Sequence, residues 1–409
     1  MTRRALPLLL VLAACGVGAT GRASPAPGAA AGEPPVVVTE GGFAALPDPA
    51  LRYPDGARVV RVDADGTRTV LSQGLAAAGA PFVHHDGRRL LFVARERSGA
   101  PYRVHECAAD GSARRVVVDH GTDCVRAAYL PDGRIVYSAA LPGVAPAAGL
   151  RSPAAVFVAD GAGGAGARIT FGAGVDTDPT VISDGRVLFA SWRPGDTGDT
   201  GDTGGGRLGL FTVHPDGTGY APFHVAAGDA VYPVQQAGGD VRFTLHAGGA
   251  AVERIADWDA PLSVAHDADG ADGETVALAP RTRPQGHLSS FRPEVGHGTL
   301  VCVDARASGA TAATRAQIAT FGGERVVLGL VDLAGDGSFM ARVPVDTPLV
   351  IDLFDANGRL VRGEHGPLWV RSNEVRVCVS CHDDVEASPP NRRPLAVRGE
   401  AADMTGTAR

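Results

Sequence analysis

Asp-Gly dipeptides recur along the first two thirds of the chain and constrain its fold more than any other feature. They form two alternating series between short apolar strands, with a period of about 45 to 56 residues. One series is Asp86-Gly87, Asp132-Gly133, Asp184-Gly185 and a degenerate copy at Gly238–Thr244; the other is Asp65-Gly66, Asp110-Gly111, Asp160-Gly161 and Asp216-Gly217. Asp-Gly between apolar strands indicates a hairpin, because the turn needs a positive φ. Two hairpins per period make a four-stranded blade, so residues 46–280 are predicted to form a β-propeller.

The blade pattern resembles that of the TolB-like family of propellers, whose blades carry a Pro-Asp-Gly-Arg turn, an apolar strand and a second Asp-Gly turn. The repeat itself gives four or five blades, or six if both ends are degenerate. The third repeat is lengthened by the insertion Asp196–Gly204. Its repeated aspartates raise calcium as an alternative, but the glutamate that closes an EF-type loop is missing. We therefore interpret it as a solvated loop.

A second unit follows the propeller. Residues 281–298 contain two prolines and are predicted to be an irregular connection. Residues 299–395 then contain many short strands, which indicates a small β-sandwich and an all-β chain. The predicted strands are Arg325–Leu333, Ser338–Val343, Leu349–Phe354, Arg359–Val361 and Leu368–Arg371. Residues 396–409 are expected to be a polar tail.

The N-terminus has the pattern of an export signal. Arg3 and Arg4 precede the apolar run Ala5–Ala14, which is too short to span a bilayer. The run ends in a lipobox-like Leu-Ala-Ala-Cys-Gly, so residues 1–14 are predicted to be a signal peptide and Cys15 the lipidated residue. An ordinary signal peptide cleaved near Ala19 is the alternative.

These features predict a protein of the cell envelope, held at a membrane by its N-terminal lipid. Residues 15–45 are expected to form a flexible tether before the propeller. The formal charge of −7 and the lack of a basic cluster argue against nucleic acid as a partner.

One short motif carries recognisable chemistry. Cys378 and Cys381 are separated by two residues and followed directly by His382. Two thiols at this spacing can add to the two vinyl groups of one haem, and the adjacent histidine becomes the proximal iron ligand. The motif therefore predicts one covalent c-type haem. A structural disulfide, a redox-active pair and half of a zinc site are the alternatives; no βαβ unit accompanies the pair, and further zinc ligands at compact spacing are missing.

The other cysteines have separate interpretations. Cys107 and Cys124 lie in neighbouring strands of adjacent blades, and a disulfide between them is compatible with an exported protein. Cys302 is interpreted as a buried strand residue, with a thiol close to the haem as the alternative.

The second axial ligand is left open by the sequence. Met404 lies 22 residues past His382 and is a candidate distal ligand if the tail folds back. Met340 is interpreted as a core residue. The loop histidines His287, His297 and His365 are each interpreted as solvated surface residues.

Residues 299–395 resemble the haem-bearing middle domain of the hydrazine synthase alpha subunit and its relatives. The matching segments are Gly298–Asp304, Asp336–Phe339, Val343–Leu349, Cys378–Asp384 and Pro389–Leu395. The resemblance implies a TolB-like propeller before the domain and a haem c within it. The resemblance implies that a catalytic haem of this family has a tyrosine shortly after the Cys-x-x-Cys-His motif. No tyrosine follows Tyr232 in this sequence. Hydrazine synthesis is therefore not expected.

Three functions remain open at this point. The first is an exported lipoprotein with one c-type haem, which acts in electron transfer or redox sensing with a partner protein. The second is a haem-dependent oxidoreductase. The third is a propeller that serves as a binding scaffold without redox chemistry, so the sequence leaves open whether the chain is an enzyme.

Overall fold

Seven four-stranded sheets account for nearly all regular structure in the described part of the chain. The computed structural model describes residues 34–406 apart from 42–51, 144–152, 173, 194–205, 225–227, 236–238, 248–249, 258–259, 268–273, 308, 323, 364–366 and 380–392. Five sheets form the propeller and two form the unit that follows it. The all-β prediction is confirmed, with a propeller followed by a sandwich-like domain.

Short strands, mostly of three to eight residues, build the propeller. In chain order they are β1 (Val36–Glu40), β2 (Arg58–Val62), β3 (Arg68–Val70), β4 (Ala77–Val83), β5 (Arg89–Arg95), β6 (Arg103–Ala108), β7 (Arg115–Val118), β8 (Cys124–Tyr129), β9 (Ile135–Ala140), β10 (Ala154–Ala159), β11 (Ala167–Arg168), β12 (Asp176–Val181), β13 (Val187–Arg193), β14 (Arg207–Val213), β15 (Ala221–His224), β16 (Asp229–Gln235), β17 (Val241–Ala247), β18 (Ala250–Asp257), β19 (Ala260–Asp267) and β20 (Thr275–Ala277).

The first sheet closes the propeller with strands from both ends of the repeat region. Four sheets follow chain order, β4 to β7, β8 to β11, β12 to β15 and β16 to β19, whereas the first has the order β20-β1-β2-β3. Val36 of β1 pairs with Ala277 of β20 in antiparallel register. β1 therefore belongs to the propeller, and the prediction that residues 15–45 form a tether is wrong for residues 36–40. Pairing with the distant β20 fixes this segment.

The Asp-Gly turns are type I turns closed by a glycine in the left-handed region. At Asp132-Gly133, the Gly133 amide donates to the Leu130 carbonyl at 3.1 Å and the Leu130 amide donates to the Arg134 carbonyl at 2.8 Å. Gly133 has φ of 92°, and the Asp132 carboxylate accepts from the Arg134 amide at 3.0 Å. In the second, third and fourth blades the two Asp-Gly turns join the first strand to the second and the third to the fourth. Antiparallel pairing therefore places both series on one face of the propeller, called here the Asp-Gly face.

Polar residues fill the centre of the ring, where β4, β8, β12 and β16 face one another. β4, β12 and β16 each carry a bulge there, with φ of 52° at Ala80, 56° at Asp178 and 57° at Tyr232. Arg52 and Asp178 form an ion pair in which both side chains are fully buried. Glu274, just before β20, accepts from the Ala80 amide at 2.7 Å, and its burial raises the pKa of its carboxyl. These contacts link the first blade, which contains Arg52 and Glu274, to Ala80 of the second blade and Asp178 of the fourth.

Cys107 and Cys124 are separate buried thiols, so the predicted disulfide between them is wrong for this structure. Cys107 lies in β6 and packs in the cluster that contains Leu90 and Phe92, while Cys124 begins β8 and packs in the central cluster. The two side chains therefore point into different parts of the core. Burial raises the pKa of each thiol to about 12.

Residues 281–296, all of which are described, contain no helix or strand and run across the Asp-Gly face. The Arg281 amide donates to the His85 carbonyl of the second blade, and the Gln285 amide donates to the Ser183 carbonyl of the fourth. Ser289 then donates to the carboxylate of Asp216 at 2.6 Å. The connection is thus fixed to the turns of two blades before it enters the second unit.

The second unit is a two-sheet sandwich. Its strands are β21 (His297–Cys302), β22 (Arg315–Thr320), β23 (Val327–Asp332), β24 (Phe339–Pro344), β25 (Leu349–Phe354), β26 (Leu360–Arg362), β27 (Val375–Cys378) and β28 (Ala402–Asp403). One sheet has the order β27-β21-β24-β28 and the other β23-β22-β25-β26. The side chains of Leu300, Ile318, Phe339 and Ile351 pack between the sheets.

Two sequence expectations about this unit are corrected. Leu368–Arg371 is not a strand: Leu368 makes one isolated bridge to Leu349, because the segment turns to contact the propeller. The tail also enters the fold, since β28 pairs in parallel with β24 and Ala341 is the register partner of Ala402.

Trp369, Arg371 and Glu374 connect the sandwich to the Asp-Gly face. The indole of Trp369 is fully buried, stacks on Tyr220 at 3.9 Å between ring centroids and donates to the Gly217 carbonyl at 3.3 Å. Glu374 accepts from the Gly219 amide at 2.9 Å. The sandwich therefore contacts the propeller mainly at the second Asp-Gly turn of the fourth blade. No helix in the described residues is long and apolar enough to cross a bilayer.

Candidate functional site

β27 is an edge strand that ends at the first cysteine of the Cys-x-x-Cys-His motif. It pairs in parallel with β21 and has no second neighbour among the described strands. Val375 and Val377 are 64% and 59% exposed on one face of the strand, and Cys378, on the opposite face, is half-buried. Cys381 and His382 lie outside the described residues. The first thiol of the predicted haem site is therefore held by regular backbone pairing at the edge of the sandwich.

The chain before and after residues 380–392 is fixed to the same end of the sandwich. On the N-terminal side, the Asp304 amide donates to the Val379 carbonyl at 3.1 Å. On the C-terminal side, the Leu395 amide donates to the carboxylate of Asp336 at 2.9 Å. Asp304 and Asp336 belong to adjoining turns, because the Ala305 amide donates to the Gly337 carbonyl at 2.9 Å. Val379 and Leu395, the described residues on either side of 380–392, are thus anchored at adjoining turns of the sandwich.

The turn Asp336-Gly337-Ser338 holds the returning chain through two hydrogen bonds and is itself braced by a third. Asp336 accepts from the Ser338 hydroxyl at 2.6 Å as well as from the Leu395 amide. The Ser338 hydroxyl oxygen in turn accepts from the Ala396 amide at 2.9 Å. Residues 395–398 form a short 3₁₀ helix at this point. The sequence showed this turn only as part of the matching segment Asp336–Phe339, whereas the structure also makes it an anchor for the chain that follows the motif segment, the name used here for residues 380–392.

Cys302 is a buried strand residue, as expected from the sequence, with 2% of its surface exposed. It lies in β21 directly opposite Cys378 in the parallel register, and the Val303 amide donates to the Cys378 carbonyl at 2.9 Å. Register partners in neighbouring strands project to the same face of a sheet. A second thiol therefore lies beside the first cysteine of the motif.

Met404 is a core residue of the sandwich and does not extend from a free tail. Its side chain is 2% exposed and packs beside Gly329, while its amide donates to the Arg342 carbonyl at 2.9 Å. The interpretation of Met404 as a candidate distal haem ligand is therefore corrected, because its thioether is packed between the two sheets and does not reach the surface. Met340 lies mid-strand in β24, and His365 lies outside the described residues.

His287 is part of a half-buried polar cluster at the Asp-Gly face and is not a solvated histidine as expected. Its ring stacks on His214 with 3.9 Å between centroids, and its Nε2 lies 3.2 Å from a carboxylate oxygen of Asp216. Burial, followed by the nearby His287, lowers the pKa of His214. Burial acts to raise the pKa of Asp216, but hydrogen bonds from Ser289 and Thr218 outweigh it and lower that pKa. No spacing in the sequence indicated this cluster, because its members come from different elements.

The described part of the motif is compatible with covalent haem. A thioether needs a cysteine that an incoming vinyl group can reach, and Cys378 is half-buried at the end of an edge strand. The described residues on either side of 380–392 are anchored at Asp304 and Asp336. Among the described residues, no group of three or more His, Cys, Asp or Glu side chains is placed to hold a metal ion.

Residues 295–383 match the hydrazine synthase alpha subunit middle domain. This span begins just before β21 and ends just after the Cys-x-x-Cys-His motif. It confirms the resemblance found in the sequence for this part of the chain. No curated protein sequence matches the chain.

The fold as a whole is similar to that of a Kuenenia stuttgartiensis hydrazine synthase. The similarity has a TM-score of 0.74 at 15% sequence identity and covers 90% of this chain and 71% of that chain. TolB from Acinetobacter baumannii is also similar, with a TM-score of 0.37 at 15% identity. This similarity covers 62% of this chain and 67% of that chain. A protein assigned as TolB from Agrobacterium tumefaciens has a TM-score of 0.43 at 16% identity, and this similarity covers 60% of this chain and 84% of that chain. The hydrazine synthase similarity extends over both the propeller and the sandwich.

Proposed function

We propose that this chain is an exported lipoprotein that carries one c-type haem on its sandwich domain and acts in electron transfer or redox sensing. Cys378 and Cys381 would supply the thioethers, and His382 would be the proximal iron ligand. The bound haem would supply one-electron chemistry at the iron. The observation that carries the proposal is the fixing of both ends of the motif segment at one edge of the sandwich, next to the half-buried Cys378.

The protein contributes position and support to this site. Backbone pairing of β27 with β21 fixes Cys378, and the Asp336-Gly337-Ser338 turn fixes the chain after the motif. A carrier needs its cofactor near the surface, because electron transfer to a partner requires close approach of the two proteins. An edge strand with two exposed valines provides such a surface.

The deciding experiment is mass spectrometry of the protein produced in a host with c-type maturation machinery. We expect the peptide that contains Cys378 to carry the mass of one haem. Cys378→Ala and Cys381→Ala should each leave one thioether, and the double variant should lose covalent haem. Cys107→Ala serves as the matched control, since this buried thiol lies in the propeller and should not affect attachment. An unmodified motif peptide from wild-type protein would refute the proposal.

The membrane anchor is tested separately. Metabolic labelling with a fatty acid should mark the wild-type protein and not Cys15→Ala, because Cys15 is the proposed lipidation site. Equal labelling of the two proteins would refute the anchor and leave the haem proposal intact.

A haem-dependent oxidoreductase is the second candidate. It is favoured by a cavity of about 360 Å³ where the propeller, the connection and the sandwich meet, lined in part by Arg371 a few residues before β27. Rapid binding of carbon monoxide to the reduced haem protein would favour this function, because it indicates an open distal position. A reduced iron that resists the added ligand would favour electron transfer.

A further inference from the structure

The cavity at the junction of propeller and sandwich has the features of a ligand site. Its volume is about 360 Å³, near the lower end of the range for small-molecule pockets. Turns of the third and fourth blades, the connection and one residue of the sandwich form its walls. Pro131, Val158 and Ile169 contribute apolar surface, and Arg168 and Arg371 contribute positive charge.

Arg371 is held rigidly at this cavity. Its guanidinium lies between two aromatic rings, with Cζ 4.9 Å from the centroid of Phe171 and 4.6 Å from that of Phe291. One terminal nitrogen donates to the Arg168 carbonyl at 3.1 Å, and Nε lies 3.2 Å from a carboxylate oxygen of Asp346. A guanidinium has five N–H donors in a planar fork. These contacts fix the plane of the group and leave donors available.

Arg168 lies beside Arg371 and shares the same aromatic neighbour. Its Cζ is 5.0 Å from the centroid of Phe171, and its Nε donates to the Thr170 carbonyl at 2.5 Å. Within the described ranges, no hydrogen bond is found for its two terminal nitrogens. Burial lowers the pKa of both arginines. Two partly desolvated guanidinium groups therefore line one small cavity.

The carboxylates of the cavity wall already have donors of their own. Asp216 accepts from Ser289 and contacts His287, and Asp132 pairs with Arg134 at 2.7 Å. Asp346 is outside the cavity wall, lies 3.2 Å from the Nε of Arg371 and, with Asp176, acts on the charge of Arg168. Among the described residues, the terminal nitrogens of Arg168 and one terminal nitrogen of Arg371 make no hydrogen bond, so these donors are available to an added anion. Planar guanidinium groups bind carboxylates through paired hydrogen bonds.

We propose that this cavity binds a small organic carboxylate, with its carboxylate on Arg168 and Arg371 and its apolar body against Pro131, Val158 and Ile169. The site does not depend on the haem, so it can be present whether or not the proposed function holds. Two arginines select for the anion, and the apolar wall selects for an organic body over a free inorganic anion.

Titration calorimetry on the full mature protein tests the site, with benzoate as the probe. We expect saturable binding at one site for benzoate and none for benzyl alcohol, which has the same ring without the charge. Arg168→Met should weaken benzoate binding at least about tenfold, the loss typical of a charged hydrogen-bonded contact. Arg88→Met, at an exposed turn of the second blade, is the matched control and should bind as wild type.

Several results would overturn the proposal: no saturable benzoate binding, equal binding by the Arg168→Met variant, or binding of benzyl alcohol as tight as that of benzoate. Inorganic phosphate that binds more tightly than benzoate would also contradict it, because the site would then select the anion without the organic body. Arg371 is 7% exposed, and Arg371→Met can unfold the junction. The less buried Arg168 variant therefore decides the outcome.

Discussion

Cys302 of β21 and Cys378 of β27 are register partners in a parallel strand pair, and their side chains lie on the same face of the sheet. Their surroundings differ. Cys302 is 2% exposed and packs with Leu300 and Phe339 in the sandwich core, while Cys378 is half-buried at the start of the motif segment. Two adjacent thiols thus have separate roles, one in packing and one in the proposed attachment of haem.

This difference predicts opposite effects of the same substitution. Cys302→Ala should keep the full covalent haem and lower the free energy of unfolding by about 1 kcal/mol, because it removes only a small buried group. Cys378→Ala should leave one thioether and change stability little. Haem content by mass spectrometry and chemical denaturation of both variants check this. Loss of haem from the Cys302 variant, with its fold intact, would show that the buried thiol takes part in attachment.

Substitutions of Met404 separate core packing from iron ligation. Met404→Ala should lower the free energy of unfolding by about 2–5 kcal/mol, because the side chain is buried between the sheets. Met404→Leu should cost less than about 1.5 kcal/mol, since it conserves volume. The absorption spectrum of the haem protein should be the same with leucine as with methionine. A spectral change in the leucine variant would restore Met404 as a ligand.

The Arg52–Asp178 pair at the centre of the propeller should be sensitive to loss of charge. Asp178→Asn should lower the free energy of unfolding by about 3–5 kcal/mol, because it leaves a fully buried guanidinium without its carboxylate. Asparagine tolerates the positive φ of 56° at this position, so backbone strain is not the cause. Asp132→Asn, in an exposed pair, is the control and should cost less than about 1 kcal/mol. Equal effects in urea denaturation would contradict the assignment.

His105 should make the protein less stable in acid. The ring is 4% exposed, stacks on Phe92, and its Nε2 is buried without a hydrogen-bond partner among the described residues. Burial, aided by the charge of Arg114, lowers the pKa of His105 to about 4. In the unfolded chain the pKa is near 6.5, so between these values the unfolded state binds the extra proton. Stability therefore falls as the pH drops from about 6.5 towards 4, by up to about 3 kcal/mol from this residue.

His105→Phe isolates this contribution, since the new ring can keep the stack on Phe92 and cannot titrate. Denaturation curves at pH 7 and pH 4.5 should differ less for the variant than for wild type. His297→Phe, a partly exposed histidine of the sandwich, is the control and should keep the wild-type pH dependence. An unchanged pH dependence in His105→Phe would contradict the prediction, because it would mean that the pKa of the imidazole is the same in the folded and unfolded states.

The insertion Asp196–Gly204 should be dispensable. It lies outside the described residues, but the chain before and after it is paired, with Arg193 and Arg207 as register partners in β13 and β14. It therefore connects two strands on the face opposite the Asp-Gly turns. Its deletion should change the free energy of unfolding by less than about 1 kcal/mol, measured by thermal and urea denaturation. A larger loss, or a melting temperature that rises with added calcium only in wild type, would indicate a bound ion.

Local turn chemistry explains why much of the propeller was predictable from the sequence. Each Asp-Gly turn needs a glycine in the left-handed region and an aspartate whose carboxylate accepts a hydrogen bond from the backbone amide two residues later. Both residues can be identified directly in the sequence. The strand β25, Leu349–Phe354, was predicted with its observed bounds, since five of its six residues are apolar and an Asn-Gly turn follows.

The remaining features depend on contacts between distant residues. Val36–Glu40 is a strand because β20 pairs with it, and the Pro- and Ala-rich sequence before it suggested a tether. Met404 is buried because β28 returns to β24, which no periodicity in a short polar tail indicates. The cluster of Asp216 and His287 and the cavity arginines arise where two units meet. Such sites form when the sandwich and the connection pack against the propeller, so the spacing of their residues along the chain does not indicate them.

The pairing of β1 with β20 has a consequence for how the protein assembles. The ring cannot close until residues 275–277 reach the strand at 36–38, so the slowest contacts in folding are those of greatest sequence separation. The connection 281–296 follows β20 directly along the chain and lies on the turns of the second and fourth blades. The sandwich that holds Cys378 is therefore joined to the propeller right after the strand that closes the ring.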